Sequence, residues 1–276
     1  MESSGLGKVI GDMVIAASRA NPPADDDYLG EDGLLYCGKC NTPKQCRATM
    51  LEKEYTPFIT CKCKQEAIDR GNREREEAKQ SCLREIRRQK AFTSNKSRSF
   101  TFDADNGRNP EASRIARTYA DEFDKTGKNF ILNGNPGLGK SFLACCIVNA
   151  AIDRGLTARF TNVSEIEREL WNAENKNAIY DDLTRLDLLV LDDFGVERQS
   201  EYMKQITFNI IDARYQAGKP LMITTNIKNS QLAAAKEAED IEKSRIFGRL
   251  LENAAAYTMK GRDYRFESAG RTAADS

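Results

Sequence analysis

The residues best suited to chemistry in this chain lie in one short loop between two apolar segments. Residues 134–141 read GNPGLGKS, which matches the pattern G-x-x-x-x-G-K-[ST]. Glycines let the backbone curl so that successive N–H groups point inward, and the following helix adds the positive end of its dipole. We expect Lys140 to reach the β- and γ-phosphates of a nucleotide and the Ser141 hydroxyl to ligate Mg²⁺. The predicted phosphate-binding residues are Gly134, Asn135, Pro136, Gly137, Leu138, Gly139, Lys140 and Ser141.

Two carboxylates follow a second apolar segment, LDLLVLDDFG at residues 186–195. A buried strand seldom ends in two acidic residues unless a cation lies beside them. We therefore expect Asp192 to hold the Mg²⁺ shell and Asp193 to orient or deprotonate an attacking water. A simple helix cap or turn is the alternative for this pair.

Asn226 ends a third apolar segment, LMITTN at residues 221–226. The carboxyl ends of parallel strands share one edge of a sheet, so Asn226 is predicted to lie beside the γ-phosphate and to help position water. A plain strand end is the alternative. The sequence has no N/T-K-x-D guanine-reading motif downstream, which favours ATP over GTP.

The elements that must position these residues alternate between strand-like and helical segments from about residue 100 onward. This alternation predicts an α/β fold, with a parallel sheet covered on both faces. A helix is expected over Lys140–Arg154 with Gly155 closing it, and the next helix is expected to begin at a capping box over Ser164–Glu167. The five expected strands are Phe130–Asn133, Ala158–Asn162, Leu188–Asp192, Leu221–Thr225 and Ala256–Met259.

The N-terminal region contains six of the eight cysteines, and the chain has no histidine. Any zinc site must therefore be rich in thiolates. Two close pairs, Cys37 with Cys40 and Cys61 with Cys63, predict a Cys₄ zinc site. The second pair is separated by one residue instead of the usual two, and Cys46 is available to replace one ligand. Free reduced thiols are the alternative.

Composition narrows the range of partners and locations. Lys and Arg together number 42, as do Asp and Glu, so bulk charge indicates neither a nucleic-acid nor a membrane partner.

The charged run Lys64–Lys90 predicts a solvated helix, with docking to a partner or to nucleic acid as the alternative, and residues 93–99 are predicted to form a linker. We expect no signal peptide, no membrane span and a reducing, cytoplasmic setting.

Four stretches together resemble the AAA+ ATPases of the DnaC/DnaI helicase-loader group, to which the transposition helper IstB is related. They are the phosphate loop, LLVLDDFG, RYQAGKPLMITTN and RIFGRLLENAAAYTMKGRDYR, and the resemblance covers roughly residues 98–266. It implies an AAA+ P-loop core with a five-stranded parallel sheet in the order 5-1-4-3-2, lacking a helical lid.

The resemblance also implies roles for single residues. Asn226 would be sensor 1, Arg249 would be an arginine finger that reaches the γ-phosphate of a neighbouring subunit, Arg245 would support that interface, and Arg262 would be sensor 2. The family usually has Asp-Glu where this chain has Asp-Asp at 192–193, so we expect slow turnover.

Two domains follow from the same resemblance. Residues 1–95 would form a small N-terminal zinc-binding, helicase-interacting module with the charged helix, and residues 96–276 would form the AAA+ ATPase domain.

The function that the resemblance implies is ATP-dependent loading of a hexameric replicative DNA helicase onto single-stranded DNA at replication initiation. A homo-oligomer that forms when ATP is bound would carry out this loading. The alternatives are an IstB-like transposition helper that binds duplex DNA and, for the zinc module, direct contact with DNA.

Overall fold

The computed structural model describes residues 21–50, 53–195, 200–236, 241–261 and 263. The chain divides into two compact units, one ending at Gln80 and the other starting at Ser81.

The N-terminal unit consists of two short antiparallel strand pairs followed by a helix. Strand β1 (Tyr28–Leu29) pairs with β2 (Leu35–Tyr36), and β3 (Ala48–Met50) pairs with β4 (Lys53–Tyr55). Helix α1 (Lys62–Ala91) then begins in this unit and confirms the helix predicted from the charged run.

Apolar burial in the N-terminal unit is sparse. Among its described residues, the buried hydrophobic side chains are Leu34, Cys37 and Cys61. So small an apolar core contributes too little to order a module of this size, and such modules are commonly held by a metal or by disulfides.

The unit from Ser81 onward is built around a five-stranded parallel sheet. Its strands are β5 (Asn129–Gly134), β6 (Ala158–Thr161), β7 (Leu188–Leu191), β8 (Leu221–Thr225) and β9 (Ala254–Met259). Their order across the sheet is β6-β7-β8-β5-β9, and every neighbouring pair is parallel. Numbered within this sheet, the order is 5-1-4-3-2 when read from β9, so the predicted fold class and topology are confirmed.

Helices cover both faces of the sheet. They are α2 (Asn95–Arg98), α3 (Pro110–Thr126), α4 (Lys140–Asp153), α5 (Val163–Asn172), α6 (Lys176–Arg185), α7 (Glu201–Gln216), α8 (Asn229–Lys236) and α9 (Ile241–Glu252). Along β5, Phe130 and Leu132 join a core with α3 and α4, whereas Ile131 joins a core with α5, α7 and α9. A strand covered on both faces must be apolar at each position, and all four residues of β7 are buried.

Helix α4 ends as the sequence predicts. Gly155 has φ +83° and donates its N–H to the Ile152 carbonyl at 2.9 Å, while the Leu156 N–H reaches the Ala151 carbonyl at 3.0 Å. These two bonds form a Schellman motif, which satisfies carbonyls that the helix end would leave without partners.

Helix α5 begins earlier than predicted. Asn162 is its N-cap, and the Asn162 side-chain oxygen accepts the Glu165 N–H at 2.9 Å, while the Glu165 carboxylate accepts from the Thr161 hydroxyl at 2.9 Å. The prediction of Ser164 as the first residue of the capping box was wrong. Asn162 offers an equivalent acceptor two residues earlier, and Glu165 lies three residues after Asn162, as a capping box requires.

Residues 93–99, predicted as a linker, are held to the sheet unit. They contain α2, and the Asn149 side chain donates to the Arg98 carbonyl at 3.2 Å and to the Phe100 carbonyl at 2.9 Å. The Arg88 Nε in turn donates to the Asn149 side-chain oxygen at 2.9 Å. The end of α1 and this segment therefore pack on α4, and the functional boundary at residues 95–96 stays a prediction.

Two further expectations concern membranes and the lid. Across the described ranges, each helix is too short or too polar to cross a bilayer. The expected lack of a lid concerns residues after β9, most of which lie outside the described residues.

Candidate functional site

The predicted phosphate loop joins β5 to α4 at the carboxyl edge of the sheet. Strands β7 and β8 end at the same edge, which brings their following residues to the loop. A cavity with a volume of about 380 Å³ lies here, and its lining includes Lys140, Ser141, Asp193 and Asn226. The structure thus brings together residues that are up to 86 positions apart in sequence.

Lys140 is buried at the base of this loop. Its ammonium group donates to the carbonyls of Gly134 at 2.8 Å and Asn135 at 3.0 Å, and to the Asn226 side-chain oxygen at 2.7 Å. These three acceptors are uncharged oxygens, and they orient the ammonium group. The contact with Asn226 also links the loop to the end of β8.

Asp192 lies beside the first turn of α4. Burial raises the pKa of the Asp192 carboxyl and the Asp193 charge adds to that effect, while hydrogen bonds from the Thr224 and Ser141 hydroxyls and the Lys140 charge oppose it. Mg²⁺ prefers oxygen ligands, and here one hydroxyl and one carboxylate lie within hydrogen-bonding distance of each other. The donor set therefore fits Mg²⁺.

Asp193 points its exposed side chain toward the cavity from an unusual backbone conformation. Its φ is +51°, and its N–H donates to the Thr224 hydroxyl oxygen at 3.0 Å. Asp and Asn tolerate the left-handed region better than other side chains do, because their short polar groups bond locally. This conformation gives a physical reason for a second Asp where the resembled family usually has Glu.

Thr224 is a site residue that the sequence interpretation missed. It is fully buried in β8, donates to the Asp192 carboxylate and accepts from the Asp193 N–H. The available signal was the pair of threonines in the otherwise apolar segment LMITTN. A buried hydroxyl needs a partner, and the neighbouring strand end supplies two.

Asp263 is a second contact that the sequence interpretation did not anticipate. Gly137 has φ +79°, and a Cβ placed on it would come within 1.8 Å of the Asp263 carboxylate. The left-handed backbone favours glycine at this position, and a larger residue would also have to displace the Asp263 side chain.

Arg249 lies at the opposite edge of the sheet from the phosphate loop. Asn129, the first residue of β5, donates its side-chain amide to the Leu250 carbonyl at 3.1 Å and its N–H to the Asn253 carbonyl at 2.8 Å. The loop follows the other end of this six-residue strand, about 16 Å farther along.

The other two predicted arginines are not brought to the phosphate loop among the described residues. Arg245 is exposed on α9, and Arg262 lies outside the described residues.

The four predicted zinc ligands form one cluster in the N-terminal unit. The Sγ atoms of Cys37, Cys40, Cys61 and Cys63 all lie within 4.8 Å of one another. The Cys63 Sγ is 3.7 Å from that of Cys37 and 3.5 Å from that of Cys61. Tetrahedral Zn²⁺ with bonds of about 2.3 Å places sulfurs about 3.8 Å apart, so the cluster fits this ion. Cys46 is not a member of the group.

Helix α1 explains the one-residue spacing of the second pair. Cys61 precedes the helix and Cys63 lies in its first turn, where the helix dipole favours a thiolate. A hydrogen bond from Thr42 lowers the pKa of Cys40 to about 6, whereas hydrogen bonds to neighbouring sulfurs raise the pKa of Cys63 to about 12. Cys63 therefore holds its proton in the absence of a metal, and a bound cation would allow all four sulfurs to be thiolates.

The first pair depends on a close backbone approach. A Cβ on Gly38 would come within 1.8 Å of the Asp26 carbonyl oxygen. Gly38 is therefore required by close packing and not by a left-handed backbone conformation. The left-handed residue nearby is Asn41, with φ +52°. Buried Lys44 forms an ion pair with Asp27 beside this cysteine pair.

Comparisons with known proteins agree with this architecture. A crystal structure of the DnaC helicase loader has the same fold, with a TM-score of 0.53 and 23% identity, over 60% of this chain and 100% of that chain. The replicative helicase loader DnaC of Escherichia coli K12 is 30% identical over 136 residues, which are 48% of this chain and 56% of the loader. An insertion sequence ATP-binding protein of Sinorhizobium fredii is 33% identical over 134 residues, which are 46% of this chain and 43% of that protein.

The chain spans about half the length of the curated relatives that it matches. A family model described as IstB-like ATP binding protein matches residues 41–272, which is most of the chain. The chain belongs to the IstB-like ATP-binding protein family.

Proposed function

We propose that this chain is an AAA+ ATPase that loads a hexameric replicative DNA helicase onto single-stranded DNA during replication initiation. The observation that carries the ATPase part is one cavity at the carboxyl edge of the sheet, which is lined by Lys140, Ser141, Asp193 and Asn226. Asp192 adjoins this cavity through its hydrogen bond with Ser141. Such a grouping serves phosphoryl transfer, in which the protein mainly positions groups and stabilises charge.

Each of these residues has a distinct task in the proposed reaction. The loop N–H groups and Lys140 bind the β- and γ-phosphates, and Ser141 with Asp192 would hold Mg²⁺, which neutralises charge that develops on the phosphate oxygens. Asp193 accepts a proton from the attacking water, and Asn226 orients that water.

Hydrolysis in this proposal depends on association of ATP-bound subunits. Arg249 lies near the start of β5, whereas the phosphate loop of its own chain follows the other end of that strand, about 16 Å farther along, so Arg249 is assigned to the nucleotide of a neighbouring copy. A guanidinium stays protonated and matches phosphate oxygens, and an arginine supplied in trans raises the rate about 10³-fold or more. Arg245 would support this interface, and Arg262 would act as sensor 2.

The N-terminal module is proposed to bind the helicase. Similarity to the helicase loader DnaC supports this partner, and the Cys₄ cluster supports a zinc-ordered module. Single-stranded DNA is the proposed nucleic-acid partner, and the cytoplasm is the proposed location.

A helicase-loading experiment tests the proposal. The full chain is incubated with ATP, Mg²⁺, a replicative hexameric helicase and circular single-stranded DNA, and helicase on the circle is measured after gel filtration. We expect loading by the unaltered chain and none by Lys140→Ala. Loss of helicase binding by Cys61→Ser, with ATP binding retained, is expected if the zinc module contacts the helicase. Helicase left unbound by the unaltered chain would refute the loader function.

A second candidate is an ATP-dependent transposition helper on duplex DNA, which the insertion sequence relative supports. Electron microscopy of the chain with ATP and duplex DNA distinguishes the two functions. Filaments on duplex DNA together with no helicase binding would favour the transposition helper.

A further inference from the structure

The guanidinium of Arg249 lies in a pocket formed by one face of helix α7. Asp212 forms an ion pair with Arg249, and the Arg249 Cζ is 5.3 Å from the ring centroid of Phe208 and 5.6 Å from that of Tyr215. The three α7 residues are spaced four and three positions apart, which places them on the same side of the helix. We call this set, Phe208, Asp212 and Tyr215, the arginine pocket.

The arginine pocket restricts the guanidinium in two ways. The guanidinium carbon lies over both rings, which attract a cation, and the carboxylate holds one of the guanidinium nitrogens. About a quarter of the Arg249 side chain and a third of the Asp212 side chain are exposed, so the pair is partly shielded from water. The Tyr215 hydroxyl is hydrogen-bonded to Glu252 of α9, which ties the same two helices together.

The pocket orients Arg249 without using all of its hydrogen-bonding capacity. A guanidinium has five N–H donors in a rigid fork, and one carboxylate engages at most two of them. Donors therefore remain for phosphate oxygens, and an exposed fraction of the side chain is available to a neighbouring molecule. A long, flexible side chain would otherwise lose much conformational entropy when it met a phosphate.

We infer that Asp212 is a positioning residue for Arg249, holding the guanidinium in the orientation in which it meets the γ-phosphate of a neighbouring copy. This inference rests on the proposed function, in which Arg249 acts in trans. Asp212 itself acts through Arg249 and does not touch the nucleotide. Its removal should slow the chemical step of the neighbour while leaving nucleotide binding at its own phosphate loop intact, because that loop lies at the other edge of the sheet.

The first test compares steady-state ATP hydrolysis by full-length variants under conditions where subunits associate. Arg249→Ala should lower kcat about 10³-fold. Asp212→Ala should lower kcat about a hundredfold, since small misplacements of a catalytic group cost that much, and Asp212→Glu should recover part of the loss. The Kd for ATP should stay unchanged in each variant. Glu201→Ala removes the same charge from an exposed ion pair on α7 and should behave as the unaltered chain.

The second test uses mixed subunits and separates positioning from general stabilisation. Asp212→Ala chains retain the phosphate loop, and Asp193→Asn chains, which should still bind ATP and associate but hydrolyse it slowly, retain the arginine pocket. Mixing them should raise turnover severalfold above the sum of the separate activities, because the second chain supplies a correctly held Arg249 to nucleotide on the first. If Asp212→Ala does not fold, Asp212→Asn replaces it in both experiments.

The outcomes separate this inference from the proposed function. Arg249→Ala with full activity would refute the trans role of Arg249 and, with it, the inference. Arg249→Ala inactive but Asp212→Ala fully active would refute the inference alone. Mixed subunits with no gain would show that Asp212 acts on its own subunit only, which also refutes the inference.

Discussion

At the scale of single residues, the candidate site depends on two adjacent carboxylates in different environments. Asp192 is half-buried and accepts hydroxyl hydrogen bonds, whereas Asp193 is exposed to the cavity. Thr224 contacts both residues in different ways, because its hydroxyl group donates to the Asp192 side chain and accepts from the Asp193 backbone N–H. Groups of the same type take different roles when their surroundings differ in this way.

The two carboxylates should therefore give different phenotypes when each is changed to Asn. Asp193→Asn should bind ATP as tightly as the unaltered chain but lower kcat by about 10²- to 10⁴-fold, the range of a general base. Asp192→Asn should weaken Mg²⁺-dependent ATP binding, because it removes a charged metal ligand. Calorimetry with ATP at varied Mg²⁺ and steady-state hydrolysis measure the two effects. Equal losses of affinity in both variants would contradict the assignment.

Thr224→Val tests the hydroxyl that connects both carboxylates. The substitution keeps the shape but leaves the Asp192 carboxylate short of a buried donor, at a cost of about 1–3 kcal/mol. We expect lower stability and weaker Mg²⁺-dependent ATP binding. Thr225→Val is the matched control, because Thr225 is equally buried but donates to the Phe194 carbonyl. It should lose stability but retain its affinity for ATP.

At the scale of elements, local pattern located the strands well and the start of α5 less well. The apolar segments ending in Asp192 and Asn226 predicted both the strands and the shared edge, since parallel strands buried on both faces are continuously apolar. Asn162 and Ser164 are both good N-caps by type, and the choice between them depends on where β6 ends. Strand ends are set by pairing with β7, which the local sequence does not encode.

The N-cap of α5 can be tested with two single substitutions. Asn162→Ala removes the acceptor of the Glu165 N–H and should cost about 1 kcal/mol, or about 2–4 °C in Tm for a protein of this size. Ser164→Ala should cost less, because Ser164 lies inside the helix. Thermal unfolding followed by circular dichroism gives both values. A larger loss for Ser164→Ala would favour the capping box that the sequence predicted.

Several site features could not be predicted because they depend on contacts between distant residues. The arginine pocket pairs Arg249 with Asp212 across two helices, and neither residue carries a local signal of the other. Gly38 is required by the Asp26 carbonyl, which approaches from an earlier turn. The left-handed backbone of Asp193 is stabilised by Thr224, 31 positions away. Motifs predicted which residues line the candidate site, whereas tertiary packing determines the contacts that hold those residues in place.

At the scale of the whole molecule, the two units differ in what stabilises them. The sheet unit buries two apolar cores, one on each face of the sheet. The N-terminal unit has few buried apolar side chains among its described residues, and it contains a cluster of four thiols. Binding of structural Zn²⁺ supplies about 10–16 kcal/mol, which is ample to order a small module.

Zinc removal should therefore affect one unit and spare the other. We expect the full chain to contain one zinc ion per molecule by metal analysis, and a strong chelator to remove it and abolish helicase binding. ATP affinity should be unchanged, since the phosphate loop belongs to the sheet unit. Cys61→Ser should lose zinc, whereas Cys46→Ser should retain it, because Cys46 lies outside the sulfur cluster. Zinc retained by Cys61→Ser and lost by Cys46→Ser would overturn the ligand assignment, because it would put Cys46 in the fourth coordination position.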